Sequence, residues 1–385
     1  MKFTCSTSDL LQAIQLTSRA ISSQQALPIL GNILFEVKGT SCTLSATDLE
    51  LSIVTSFDAS IEREGSITIP AKAIQNFAQY NQDSEVTLEV LEGNQLKCTS
   101  KHSKTALSGE SAKEYPTIPS VDGKTTFSIE AAPFLEALRL VTFTSAKTSL
   151  RPVLSGVSLR TEGDSMILVA TDSYRLSEYK LATSVTGELG CIIPVKVLEE
   201  LKVALASAKG GKEKPDDGEE KKEKEPAMID VTLSPQQIEL KTGRTRLLSR
   251  LIEGKFPDYR QIIPKQTNVT AFISSRDLTV AAKRMHYFAK EVNNNITFKF
   301  GSGQAELATP QTQLGKDEAT ISAEVEGGEA KIALSSSYLL DFLSHVEGEQ
   351  LKVSIMDAMH PAVFHLPGNE RFLHLIMPLR LQDNA

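Results

Sequence analysis

The tripeptide Ala46-Thr47-Asp48 returns as Ala170-Thr171-Asp172 and, altered, as Ala308-Thr309-Pro310. The register of the first two copies can be checked by arithmetic: Phe3 and Phe127, Asp48 and Asp172, and Pro70 and Pro194 are each 124 positions apart. One lag shared by three anchors makes the chain a tandem array of a single module. Tyr115-Pro116 and Phe256-Pro257 lie 141 apart, which is 17 more, and the charged run from Lys209 to Glu225 is 17 residues long. The second copy therefore carries an insertion. The third has drifted further, with Phe127 to Phe272 at 145 and Asp172 to Pro310 at 138. A period this long marks tandem domains rather than a solenoid, whose repeats run ~20 to 50 residues. The boundaries fall at 1–122, 123–265 and 266–385, with the insertion 209–225 inside the second copy.

Three domains suit 385 residues, since single domains usually span ~100 to 200. A net charge of −7 excludes a globally basic nucleic-acid binder, so any DNA contact must use a local surface. Within 209–225, seven acids and six lysines sit among Gly and Pro. Such a segment cannot bury enough apolar surface to fold, and a disordered, solvated loop is expected.

Cys5, Cys42, Cys98 and Cys191 form no CxxC pair, which suits reduced core thiols better than disulfides or a zinc site. The opening Met1-Lys2-Phe3-Thr4-Cys5-Ser6 lacks a signal peptide's apolar stretch, and no run approaches the ~18 apolar residues of a membrane span. A cytoplasmic protein without membrane contact is expected. His102, His286, His345, His360, His365 and His374 show no metal-ligand spacing. There is no GxxxxGK[ST] phosphate loop and no nucleophile motif, so neither catalysis, a cofactor nor a metal is expected.

Each copy reads as a short strand, an amphipathic helix, several strands, a second helix and further strands. In the first copy Thr7-Ser8-Asp9 supplies capping side chains ahead of Leu10, Leu11, Ile14 and Ile21, which predicts a helix from Thr7 to about Ile21. Strands are expected at 33–37, 42–46, 50–56 and 66–69, the last ending at Pro70, a residue suited to a helix's first turn. Ile74, Phe77 and Ala78 mark the second helix. Copy two repeats the pattern with Phe134, Leu135, Leu138 and Val141, then Leu198, Leu201 and Leu205. Copy three offers Leu278, Ala281, Ala282 and Met285, then Leu339, Phe342, Leu343 and Val346. The fold class is α+β: six one-sided helices, two per copy, covering antiparallel sheets. With helices at 7–22, 70–80, 130–145, 194–208, 274–290 and 335–347, nine Lys or Arg face eight Asp or Glu. The helices carry +1 while the rest of the chain carries −8.

Five segments carry a resemblance to a known family. They are Met1-Lys2-Phe3-Thr4, Leu27-Pro28-Ile29-Leu30-Gly31-Asn32, the stretch from Ala170-Thr171-Asp172 to Arg175-Leu176, Phe256-Pro257-Asp258-Tyr259-Arg260, and Met377-Pro378-Leu379-Arg380-Leu381. With the threefold repeat, the whole chain resembles the beta subunit of bacterial DNA polymerase III, the replication sliding clamp. The resemblance implies three clamp-type domains in a crescent and two crescents closed head to tail as a homodimer. Helices would line the inside of the ring and antiparallel sheets the outside. Twelve helices at ~9 Å spacing make a circle ~110 Å around, leaving ~25 Å clear after side chains, against roughly 20 Å for a duplex. The duplex would be enclosed without being gripped, and its binding would not depend on sequence.

The resemblance also implies partners and a site. The DNA polymerase III catalytic subunit, the clamp loader, other polymerases and repair proteins would each insert a short peptide, a Gln followed by apolar residues, into an apolar pocket. Transferred residue by residue, the pocket contains Leu154, Thr171, Tyr174, Arg175, Leu176, Pro257, Ile262, Pro361, Leu375, Ile376, Met377, Pro378, Leu379 and Arg380. Lys72, Arg139, Arg151, Lys196 and Lys202 are the DNA-facing candidates, and Leu107 and Phe288 the ring-interface candidates. Ser173, Tyr174, Gln261 and Gln24 depart from the family pattern, and Gln382-Asp383-Asn384-Ala385 extends past its usual final Leu. Asp48 and Asp172, repeated with the module and lost at Pro310, read as turn residues rather than metal ligands. The competing class is a protein-only scaffold that never encircles DNA.

Overall fold

The structure, a computed structural model, describes all residues except 25–26, 124, 149, 183–184, 186–187, 211–225, 302 and 382–385. Of the expected loop 209–225, the first two residues complete the helix Val195–Gly210, and 211–225 lie outside the described residues. So does the terminal stretch 382–385. Among the described residues no helix is long and apolar enough to cross a membrane.

Among the described residues six α-helices form where the apolar stripes mark them, the last ending before the expected Val346: α1 Thr7–Ser18, α2 Ala71–Tyr80, α3 Ala131–Val141, α4 Val195–Gly210, α5 Ser275–Ala289 and α6 Ser336–Leu343. The first shows why. Ser6 caps it by accepting from the Asp9 amide at 3.5 Å, and Asp9 places a carboxylate against the positive end of the helix dipole. Leu10, Ala13, Ile14, Leu16 and Thr17 are then buried at helical spacing. The helix stops at Ser18, short of the expected Ile21. Its last turn tightens as the amides of Arg19, Ala20 and Ile21 bond to carbonyls three residues back, while the Thr17 and Ser18 hydroxyls bond to Ala13 and Ile14 carbonyls. Likewise α3 gives way to a 3-10 turn at Thr142–Thr144.

Contacts divide the chain into two units. The first comprises Met1–Ala132 and Lys196–Leu251; the second comprises Pro133–Val195 and Ile252–Ala385. The division runs through the middle repeat because strand pairing crosses the repeat boundaries. In the first unit, Thr245–Arg250 of the second repeat pairs antiparallel with Leu51–Asp58 of the first, which puts both in one eight-stranded sheet. In the second unit, Arg175–Ala182 pairs with Asn369–Ile376 of the third repeat, inside a twelve-stranded sheet. Every ladder hydrogen bond at such a seam satisfies a backbone group that an isolated repeat would expose.

The remaining sheet of the first unit has five strands in the order Ser60–Arg63, Lys2–Ser6, Glu85–Leu91, Gln95–Thr99 and Lys104–Ser108. Phe3, Cys5, Val86, Leu88, Leu96 and Cys98 turn one face of it into core. Cys5, Cys42 and Cys98 are buried free thiols, and desolvation holds Cys5 and Cys98 at a pKa of about 12. In this unit α1 packs on α2 and on the strand Leu51–Asp58. Its C-terminal Arg19 clamps the buried Glu200 of α4 with two nitrogens, so helices of two repeats are tied by one ion pair.

Candidate partner-binding cleft

The cleft lies in the second unit and is built on the seam between Arg175–Ala182 and Asn369–Ile376. Its floor is apolar: Ile167, Val169, Leu176, Tyr259 and Leu375 form a buried cluster against which Phe256, Ile263 and Met377 pack. Above it opens a cleft of about 150 Å³, lined by Arg151, Thr171, Ser173, Arg175, Leu176, Pro257, Asp258, Tyr259, Ile262, Leu375 and Met377. Pockets that enclose drug-sized ligands run ~300 to 1,000 Å³, so this one suits one or two side chains of a longer segment.

One wall is the turn after the strand Ser165–Thr171. Asp172 Oδ1 accepts from the amides of Tyr174 (2.9 Å) and Arg175 (3.0 Å), and Thr171 Oγ1 accepts from the Ser173 amide (3.1 Å) while donating to the Arg175 carbonyl (2.6 Å). Ser173 is thereby held at φ 80°. The first repeat builds the same turn: Asp48 Oδ1 accepts from the Glu50 and Leu51 amides, Thr47 bridges the Leu49 amide and Leu51 carbonyl, and Leu49 has φ 75°. These acids organise backbone. In the second repeat the turn places Arg175, only 4% exposed, in the lining of the cleft. Its guanidinium donates to Asp172 (3.0 Å), Asp341 (2.5 Å) and the Phe143 carbonyl (3.1 Å), and lies over the Phe143 and Tyr338 rings.

The opposite wall is the segment from Phe256 through the 3-10 turn Arg260–Ile262. Tyr259 is buried, donates its hydroxyl to Glu178 and accepts from Arg160 Nη2 at 2.6 Å. Burial first, and then the Glu178 carboxylate, push its phenol well above the usual tyrosine range. It is a fixed neutral wall with no proton to exchange near neutrality.

Of the pocket residues expected from sequence, Thr171, Arg175, Leu176, Pro257, Ile262, Leu375 and Met377 line the cleft. Leu154 and Ile376 are buried. Tyr174 is exposed, stacks on Tyr338 with centroids 6.1 Å apart, and accepts the Met377 amide on its carbonyl. Pro361 is buried and Pro378 half-buried, outside the lining residues. Leu379 donates its amide to the Ala333 carbonyl, and the Arg380 carbonyl accepts from the Asn295 side chain, so this stretch is held to the sheet through its own backbone groups. Ser173, Asp258 and Tyr259 also line the cleft and were not among the expected pocket residues. The last two lie inside the singled-out Phe256–Arg260 segment, which was the available signal.

The structure gives most DNA-facing candidates a protein partner. Arg151 lines the cleft and donates to Ser173 Oγ at 3.3 Å. Arg139 is paired with Glu136 and donates to the His345 carbonyl at 2.6 Å. Lys196 is bonded to Asp48 and Lys202 to Glu199. Lys72 is exposed on α2 with no ion pair among the described residues. Of the two ring-interface candidates, Leu107 sits half-buried on the edge strand Lys104–Ser108, and Phe288 is half-buried on α5, edge-on to Tyr287. Among the described residues no group of three His, Cys, Asp or Glu is arranged to hold a metal ion.

Repeated α+β domains joined edge to edge through their sheets, with an apolar cleft on one seam, define the clamp class of protein. The N-terminal, central and C-terminal domain families of the DNA polymerase III beta subunit match residues 1–119, 128–212 and 260–380. The chain belongs to the DNA polymerase III beta subunit family, the beta sliding clamps. It is 29% identical to the beta sliding clamp of a Synechocystis species over 404 residues, covering 99% of this chain and 100% of the relative. It is 28% identical to that of Staphylococcus aureus over 391 residues, covering 99% of each. The sliding clamps of Bacillus subtilis and Pseudomonas aeruginosa superpose with a TM-score of 0.89 each, at 26% identity, over 99% of this chain and 100% of theirs.

Proposed function

We propose that this protein is a non-catalytic processivity factor: a homodimeric ring of domains 1–122, 123–265 and 266–385 per chain that encircles duplex DNA. Helices line its bore, and the cleft beside Met377 tethers the replicative polymerase, the clamp loader and other DNA-processing proteins by short peptides. The observation that carries the reading is the joining of successive repeats by antiparallel strand pairs, Thr245–Arg250 to Leu51–Asp58 and Arg175–Ala182 to Asn369–Ile376. An array continued edge to edge can be closed by the same kind of contact at its ends, and a closed head-to-tail contact avoids open filaments. Leu107, on the edge strand Lys104–Ser108, and Phe288 are the residues proposed to meet at that closure.

Retention by topology also fits the helix charges. Arg139, Lys196 and Lys202 are each neutralised by a neighbouring carboxylate, which suits loose, sequence-independent contact with phosphates rather than grip. The test is to load the protein on nicked circular DNA with a clamp loader and ATP, wash in high salt, and then linearise the circle. A ring survives the wash and runs off the cut ends. Loss in the wash, or retention after cutting, overturns encirclement.

A further inference from the structure

Behind the Phe256–Arg260 wall lies a second cleft of about 430 Å³, which shares Pro257, Asp258 and Tyr259 with the first. Its chemistry differs. Arg160 lies over the Tyr259 ring at 5.3 Å, donates to its hydroxyl at 2.6 Å, and faces Glu162 at 3.9 Å. Arg260, on the rim, donates to the same Glu162. Two guanidinium groups thus converge on the half-exposed Glu162, and Arg160 also faces the buried Glu178 at 4.0 Å. Each guanidinium has five donors in a planar fork, and most of these N–H groups have no protein acceptor among the described residues. Of the other acids nearby, Asp258 accepts from the Arg260 amide and Gln261 Nε2, and the buried Glu178 accepts from Tyr259 while lying 4.0 Å from Arg160 Nη2 and 3.7 Å from Lys180 Nζ.

We propose that this second cleft is an acidic-flank subsite. It takes the carboxylate of an Asp or Glu in a partner peptide, just outside the apolar residues seated in the first cleft. The inference rests on the peptide-binding reading of that first cleft and adds a charge preference to it. Continuity of the two clefts through Pro257 and Tyr259 lets one extended chain reach both. Donor surplus sets the sign. An exposed ion pair such as Arg260 with Glu162 contributes little to stability, so an incoming carboxylate displaces Glu162 at small cost. It then receives planar, two-pronged donation from arginines already positioned by Tyr259 and the backbone.

The experiment uses the full-length protein and labelled peptides with one core, a Gln followed by apolar residues, carrying two Asp or two Asn at the N-terminal or the C-terminal flank. Anisotropy titrations at low and high salt are compared. One Asp-flanked peptide is expected to bind about three- to tenfold more tightly than its Asn twin. That advantage shrinks with salt and is lost in Arg260→Ala, while Glu162→Gln enlarges it. The Arg260 side chain is exposed and lines the second cleft but not the first, so its replacement leaves the fold intact, and the Asn-flanked peptides bind the variant as they bind the parent. Equal affinities of Asp and Asn peptides for the parent protein, with the core still binding, overturn the subsite and leave the first cleft standing. Failure of every peptide to bind removes the first cleft and the subsite together.

Discussion

Ser177 Oγ and His374 Nδ1 lie 2.8 Å apart across the strand pair that joins the second repeat to the third. The imidazole is fully buried, stacks flat on Phe342 at 4.4 Å, and leaves Nε2 without a partner among the described residues. Burial first, then the nearby Arg175 and His345, hold its pKa well below that of a free histidine. His374 is therefore neutral when folded. The unfolded chain binds a proton at ~6.5 that the folded chain refuses, so stability is full above that pH and falls as the solution is acidified. The slope approaches ~1.4 kcal/mol per pH unit for this one group. His365 and His286 are shifted the same way, so the isolating measurement is the melting midpoint of His374→Gln against the parent from pH 7.5 to 5.5. The variant is expected to lose less on acidification. Parallel curves count against a neutral buried His374.

Arg175 joins the Asp172 turn to Asp341 on α6. Arg175→Ala leaves both carboxylates and the Phe143 carbonyl without their donor. Removing one partner of a fully buried pair costs ~3 kcal/mol or more. Here the Asp341 side chain is 34% exposed, so the expected loss is smaller, about 2 kcal/mol, with peptide binding weakened as the cleft wall loosens. Arg175→Lys keeps the charge without the fork and should recover only part of the loss in a denaturant titration.

Met377 and Leu379 are two positions apart in sequence but differ in place. Met377 lines the cleft, whereas Leu379 is fixed by its amide to Ala333. Met377→Ala is expected to weaken a core peptide about tenfold, the cost of roughly one well-packed apolar anchor. Leu379→Ala should weaken it less, and neither should change the oligomeric state by sedimentation. Equal affinity for parent and Met377→Ala would place the peptide elsewhere.

How much of this was legible beforehand follows from which interactions are local. The helices were readable because each apolar stripe, such as Leu10 and Ile14, lies within a turn or two of chain; the cap falls at Ser6, one residue ahead of the Thr7-Ser8-Asp9 expected to supply it. Their ends were not, since the stop at Ser18 depends on hydroxyl back-bonds that compete with helix continuation. The Asp48 and Asp172 turns were legible by repetition. Asp48→Ala and Asp172→Ala should each cost about 1–3 kcal/mol by leaving two amides unpaired, as read in urea unfolding. The cleft was legible in part: its apolar members came from segments that stand out, while Tyr259 acts through Glu178 and Arg160, 81 and 99 positions away. Nothing in a linear string pairs Lys196 with Asp48 or Arg19 with Glu200.

The helix cations carry the last prediction, because pairing decides which of them can meet a phosphate. Lys202 is held by Glu199 one turn away at 2.9 Å, and its side chain keeps 29% exposure. Lys72 has no such partner among the described residues and stands exposed on α2. Each phosphate contact releases condensed counterions, so losing one lowers the slope of log affinity against log salt by about one. In titrations of short duplex DNA across salt concentrations, Lys72→Ala should reduce the slope by up to that amount. Lys202→Ala should leave it nearly unchanged, since Glu199 already neutralises the ammonium group and a phosphate would have to displace it. Glu199→Gln should then raise the slope by freeing Lys202. A Lys202→Ala loss as large as that of Lys72→Ala would mean that DNA competes the Glu199 pair away and that the helices grip the duplex more firmly than their near-neutral charge suggests.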